Sequence, residues 1–196
     1  MKVVGVTGGI GSGKSTVCEL LEKGGARVFY ADEVARELMV SDPGVRKQIQ
    51  DAFGAEAYSE DGLLNRKYIA DRIFSSDADR SAINRIVHPA VGEAFRRVVS
   101  QAREEGVELL IKEAALLLDD HTSDLDVVVV IDAPKNIRIE RISLRDGLSG
   151  EQIEARMAGQ MSPNEMRQKA DHVIENDRTV IDLEAAVEEL VRSLMA

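Results

Sequence analysis

Apolar residues in this chain follow two patterns. The first is a short unbroken run, rich in Val, Ile and Leu, seen at Lys2–Val6, Arg27–Tyr30, Glu108–Ile111 and Asp126–Ile131. Strands covered by helices on both faces read this way, so these four predict a buried parallel sheet. Val173–Glu175 is a candidate fifth strand. The second pattern is helical spacing. A helix from Lys14 to about Lys23 stops at Gly24-Gly25, and another begins near Thr179–Asp182. The latter carries one apolar stripe of Leu183, Val187, Leu190, Val191 and Leu194. Alternating strands and helices predict a three-layer α/β domain that binds ligands at the carboxyl ends of its strands.

Between the second and third strands no convincing strand appears, and the stretch is too long for a simple crossover. Asp42-Pro43-Gly44 and Gly54–Leu64 read as turns between helices, and Asp77–Arg80 begins a further helix. The expectation is an α-helical insertion over 37–91 that binds a second substrate, set into a core of residues 1–36 and 92–196. Further on, Lys135, Arg138, Arg141 and Arg145 recur at helical spacing. Ser149 with Gln152, and Ser162 with Glu165, carry the capping-box signal, and Pro163 takes the favoured first helical position. Two short helices bounded by arginines predict a lid over phosphates, about residues 141–167.

Composition narrows the possible partners. Only 4% of the 196 residues are aromatic and Trp is absent, which argues against a stacking platform for single-stranded nucleic acid. A formal charge of −10 likewise argues against nucleic acid or an anionic membrane as partner. That acidity fits a saline cytoplasm or simply a well-solvated surface. Cys18 is the single cysteine, so no internal disulfide or cysteine-based zinc site forms and a reducing compartment is expected. Its place one turn into a helix marks it as a small packed residue. The longest apolar run, Val127–Ile131, cannot span a bilayer, and the chain opens on a strand rather than a signal peptide. The expected location is cytoplasmic; no pattern sets an oligomeric state.

The chemistry begins at Gly8-Gly9-Ile10-Gly11-Ser12-Gly13-Lys14-Ser15-Thr16, directly after the first strand. Glycines there let successive N–H groups turn toward a phosphate, and the opening helix adds its positive end. This is the P-loop pattern: Lys14 reaches the β- and γ-phosphates and the Ser15 hydroxyl ligates Mg²⁺. The fold class is therefore a three-layer P-loop NTPase fold with a parallel sheet, a helical insertion and a helical lid. Asp32, following the second strand, reads equally as a base for an acceptor hydroxyl or as a helix N-cap. Asp132 reads as a Walker-B carboxylate or, preferably, as a cap for the helix at Pro134, and Glu113 is a candidate for metal-bound water. Arg141 and Arg145 share a helix face and either contact triphosphate or pair with Glu140 and Asp146. His88-Pro89 sits in a helical stretch, where Pro89 starts a new helix or kinks the existing one. His121 and His172 read as surface residues.

Taken together and in order, these motifs resemble the dephospho-CoA kinase family over nearly the whole chain. Thr7–Val17, Val28–Arg36, Asn65-Arg66, Ile73-Phe74, His88-Pro89, Ala115-Leu116-Leu117, Arg141, Arg145-Asp146, Ala170-Asp171, Val173-Ile174 and Asn176 carry the resemblance. It implies ATP-dependent phosphorylation of the ribose 3′-hydroxyl of dephospho-CoA, the last step of coenzyme A synthesis, with Mg²⁺. Asp32 then occupies the place of the catalytic aspartate, Lys14 and the lid arginines Arg141 and Arg145 hold the phosphates, and Arg66 and His88 lie near the acceptor. Three positions depart from the family pattern: Tyr30 for Asp, Ala115 for Pro and Asp177 for Gly. Rival readings are another small P-loop kinase, acting on a nucleoside monophosphate or small metabolite, and a nucleotide-switch regulator. The Asn-Lys-x-Asp motif of a guanine site is absent from the chain.

Overall fold

A computed structural model describes residues 1–120 and 124–196, with Asp119 and Asp120 described by their backbone alone. The surface reading of His121 lies outside these residues. Among the described residues five parallel strands form one sheet: β1 (Lys2–Thr7), β2 (Arg27–Tyr30), β3 (Leu109–Glu113), β4 (Val127–Asp132) and β5 (His172–Glu175). Their order is β2-β3-β1-β4-β5, so the candidate fifth strand is real and lies at one edge. β3 runs on past the expected Ile111 to Lys112 and Glu113. Gly5 and Val6 of β1 pair with those two residues, while Phe29 and Tyr30 of β2 pair with them from the other side. A ladder on both sides outweighs the polar side chains, which are consequently buried.

Alternation along the strands assigns the layers. Val4, Val6, Val129 and Ile131 face α1 (Lys14–Lys23), which contributes Val17, Cys18 and Leu21. The same cluster receives Leu183, Val187, Leu190 and Leu194, the expected stripe of the C-terminal helix Val180–Met195. Val128 and Val130 point the other way and pack with Leu117, Leu118 and Met166. Each such buried side chain stabilises the fold by roughly 1.5–3 kcal/mol relative to exposure.

Two compact units emerge: residues 1–30 with 102–196, and residues 31–101. The helical insertion expected over 37–91 falls inside the second. That unit holds α2 (Ala31–Ser41), α3 (Pro43–Phe53), a 3₁₀ turn at Ala55–Ala57, α4 (Arg66–Ser75) and most of α5 (Asp77–Glu104). Asp42 caps α3 through the Gly44 and Val45 N–H groups, and Asn65 caps α4 through that of Tyr68. Pro89 neither starts a helix nor ends one: α5 runs through it. A mid-helix proline costs about 3 kcal/mol, and the buried side chains of Ile83, Val87, Val91 and Phe95 on the same helix offset that cost.

In the first unit, α6 (Leu117–Asp120) follows β3, and α7 (Lys135–Asp146) ends at Gly147 in the left-handed conformation. Next come α8 (Gly150–Ala158), α9 (Pro163–Gln168) and finally α10 (Val180–Met195). Ser149–Gln152 and Ser162–Glu165 form complete capping boxes, as their spacing predicts, and Thr179–Asp182 forms a third. Among the described residues no helix is long and apolar enough to cross a membrane.

Candidate active site

The loop from Gly8 to Thr16 joins β1 to α1, and its turn closes through Ser12 N–H to the Gly9 carbonyl at 3.1 Å. Gly13 takes the left-handed conformation, φ 100°, at the N-terminus of α1. A Cβ there would also lie 2.1 Å from Nδ2 of Asn176, so shape and space both require glycine. The first turn of α1 carries no acidic residue, and Ser15 and Thr16 on it are exposed. Its positive end is thus left for an external anion.

Residues far along the chain hold this loop in shape. Asn176, buried just after β5, donates to the Ser12 carbonyl at 2.8 Å and accepts from Arg141 Nη2 at 3.2 Å. Lys14 Nζ donates to the Gly8 carbonyl at 2.9 Å, which folds the side chain back over the loop. Beside the loop two buried polar atoms, Ser12 Oγ and Arg141 Nη1, have no hydrogen-bond partner among the described residues. A buried unsatisfied donor costs about 1–3 kcal/mol, so one on the glycine-rich loop and one from α7 beside it call for a ligand that accepts from both. Anionic oxygens of a phosphate meet that requirement.

The other expected residues distribute as follows. Arg145 is mostly exposed and makes a two-point pair with Asp146, at 2.7 and 3.0 Å, which holds the Asp146 carboxyl below its usual range. Asp32, Arg66 and His88 all belong to the helical unit. Asp32 is the second residue of α2 and exposed; it stands inside the first turn, so the N-cap alternative is corrected. The reason is that α2 starts at Ala31, with no loop between it and β2. Arg66 is the exposed first residue of α4, and His88 lies half-buried in the middle of α5.

Asp132 does not cap α7, whose N-cap is Pro134. Its carboxylate instead accepts from Ala133 N–H at 2.8 Å and Arg167 Nε at 2.7 Å. Arg167 also reaches Glu175 at 2.5 Å, which ties α9 to the ends of β4 and β5. Tyr30, one of the departures, donates its hydroxyl to Glu22 of α1 at 3.0 Å. Burial first, then that hydrogen bond, raises its phenol pKa. Burial, helped by the charge of Glu113, pushes the Cys18 thiol up to about 12, so it stays neutral and packed.

Two residues at the loop went unmarked as site residues in the sequence. Arg138 Nε donates to the Ile10 carbonyl at 2.9 Å, and Gln160 Oε1 accepts from Ile10 N–H at 2.9 Å. Arg138 gave only a weak signal, as one member of a basic helical row. Gln160 gave none.

Among the described residues no group of three His, Cys, Asp or Glu side chains could hold a metal by itself. A Mg²⁺ ion, which keeps several waters and is bound largely through substrate phosphates, fits the exposed Ser15 hydroxyl beside the loop.

A parallel sheet with this loop after β1 defines a P-loop α/β protein. A shikimate kinase from Acinetobacter baumannii shares the fold, with a TM-score of 0.55 at 14% identity and coverage of 100% of this chain and 93% of that one. The chain matches the family model described as dephospho-CoA kinase over residues 2–182. Dephospho-CoA kinase of Salinibacter ruber is 48% identical over 194 residues, 97% of this chain and 96% of its own. That of Chlorobaculum tepidum is 42% identical, covering 98% and 95%. Among solved structures, TT1252 from Thermus thermophilus superposes with a TM-score of 0.84 at 32% identity, over 98% and 97%. The chain belongs to the dephospho-CoA kinase family.

Proposed function

We propose that this chain transfers the γ-phosphoryl group of ATP to the ribose 3′-hydroxyl of dephospho-CoA, giving coenzyme A and ADP. Family membership supports the acceptor. The observation that carries the donor is the pair of buried unsatisfied groups, Ser12 Oγ and Arg141 Nη1, beside the phosphate loop.

In this reading the amides of Gly11 and of Gly13 to Thr16, at the start of α1, receive the β- and γ-phosphates. Lys14 swings its ammonium from the Gly8 carbonyl onto them. Mg²⁺, held by Ser15 and phosphate oxygens, would neutralise charge on the β- and γ-phosphates. Asp32 accepts the proton of the 3′-hydroxyl as that oxygen bonds to the γ-phosphorus and the bond to the β-phosphate oxygen breaks. Arg141 stabilises charge on the transferring group, because burial beside the loop makes its field strong there. Arg66 and His88 bind the acceptor, and Arg145 leaves Asp146 to meet the triphosphate. The segment 141–167 serves as a lid that keeps water from the phosphoryl group. We place the reaction in the cytoplasm, where a lone reduced cysteine is stable.

An ADP-release assay with dephospho-CoA, AMP and shikimate as acceptors tests the proposal. The expected result is turnover with dephospho-CoA. Turnover with AMP or shikimate but not with dephospho-CoA overturns it.

A further inference from the structure

Ile10, within the phosphate loop, has both of its backbone polar groups taken by side chains from far along the chain. Its N–H donates to Gln160 Oε1 and its carbonyl accepts from Arg138 Nε, each at 2.9 Å. Only the oxygen of a carboxamide can accept from an N–H, so the Gln160 side chain is oriented by this contact. Gln160 itself sits on a tight connection between α8 and α9, where its own N–H bonds the Met157 carbonyl at 3.1 Å. Arg138 is buried on α7, and its guanidinium fills the space over Gly9, where a Cβ would lie 2.3 Å from Nη2. The Gly9 of the motif thereby makes room for an arginine as well as for a turn.

A glycine-rich loop is costly to order, because its residues lose more backbone freedom on being fixed than others do. Any contact that orders it before nucleotide arrives lowers the entropic cost of binding. The grip on Ile10 does this from the helical segment that follows β4. That segment is anchored a second time where Arg167 bonds Asp132 and Glu175. Burial lowers the Arg138 pKa, and the nearby charge of Asp132 offsets part of that.

We infer that Arg138 and Gln160 are positioning residues for the phosphate loop: by holding both polar groups of Ile10 they preform the loop and couple ATP affinity to the α8–α9 segment. The inference rests on the P-loop reading and not on the identity of the acceptor.

The test uses the full chain with Gln160→Ala, Gln160→Glu and Arg138→Met. ATP with Mg²⁺ is the probe in calorimetry, KM values are measured for both substrates, and hydrogen exchange follows the Ile10 amide. Loss of one such hydrogen bond should weaken ATP binding roughly 3- to 10-fold in Gln160→Ala and Arg138→Met. KM for dephospho-CoA should stay unchanged, and the Ile10 amide should exchange faster in Gln160→Ala. Gln160→Glu keeps an acceptor oxygen and should keep that amide protected, which also covers the case in which Gln160→Ala fails to fold. Unchanged ATP affinity in Gln160→Ala and Arg138→Met overturns the inference. So does an equal rise in both KM values with faster exchange throughout the chain, the mark of a merely structural role. If dephospho-CoA is not turned over, the acceptor reading fails while the ATP-binding arm still decides this one.

Discussion

The phosphate loop and the helical unit of residues 31–101 are held together in opposite ways. In the helical unit, side chains tie nearby segments. The Tyr58 hydroxyl donates to the Met39 carbonyl 19 positions back, that of Tyr68 to Phe53 15 back, and Arg46 to Gly62 16 ahead. Arg46 also lies over the Tyr58 ring, 4.5 Å from its centre. At the phosphate loop the partners come from 128, 150 and 164 positions away, as Arg138, Gln160 and Asn176. The difference teaches where each region takes its shape from. Local closure lets a helical unit form from its own sequence, whereas a glycine-rich loop must borrow rigidity from the rest of the domain.

The sharpest way to break the comparison is to separate donor chemistry from acceptor chemistry. Lys14→Ala should lower kcat by at least roughly 10²–10³-fold, the cost of one preorganised charge-stabilising donor, as read by ADP release. Asp32→Asn, in the helical unit, should slow transfer by roughly 10²–10⁴-fold while calorimetry shows ATP binding intact. Full kcat in Asp32→Asn would remove the base assignment. A smaller effect separates the two kinds of scaffold. Asn176→Ala removes two hydrogen bonds at the loop and should destabilise the chain by about 1–3 kcal/mol with weaker ATP binding. Tyr58→Phe, which removes the bond to Met39, should cost about 1 kcal/mol in denaturant unfolding and leave ATP affinity alone.

The smallest effect concerns pH. Hydrogen bonds from the capping Thr179 and Ser162 hold the Asp182 and Glu165 carboxyls below their usual range. A depressed carboxyl adds stability that is present above its unfolded value and lost as pH falls through its folded value. Melting temperature should therefore decline below about pH 4, and Thr179→Ala should flatten that decline slightly.

Periodicity and motif chemistry determined much of this protein by themselves. The four apolar runs became β1 to β4, the stripe from Leu183 to Leu194 packed as a stripe, and the capping boxes of α8 and α9 formed. The capping boxes rest on contacts within a few residues, and the strands and the stripe on local apolar patterns that burial imposes, both of which spacing records directly. The P-loop was legible for the same reason: its glycines, Lys14 and Ser15 are neighbours in the chain. Errors arose where a competing partner lay elsewhere. Asp132 reads as a cap until Arg167 is seen to bond it, β3 reads as ending at Ile111 until β1 and β2 are seen on both sides, and Pro89 leaves a new helix or a kinked one open until α5 is seen to run through it. Tertiary structure alone decided that Arg138 and Gln160 hold Ile10, that Asn176 holds Ser12, and that Arg141 keeps a buried donor beside the loop. A hydrogen bond spans about 3 Å in space at any separation along the chain, so only folding selects which distant side chain completes it.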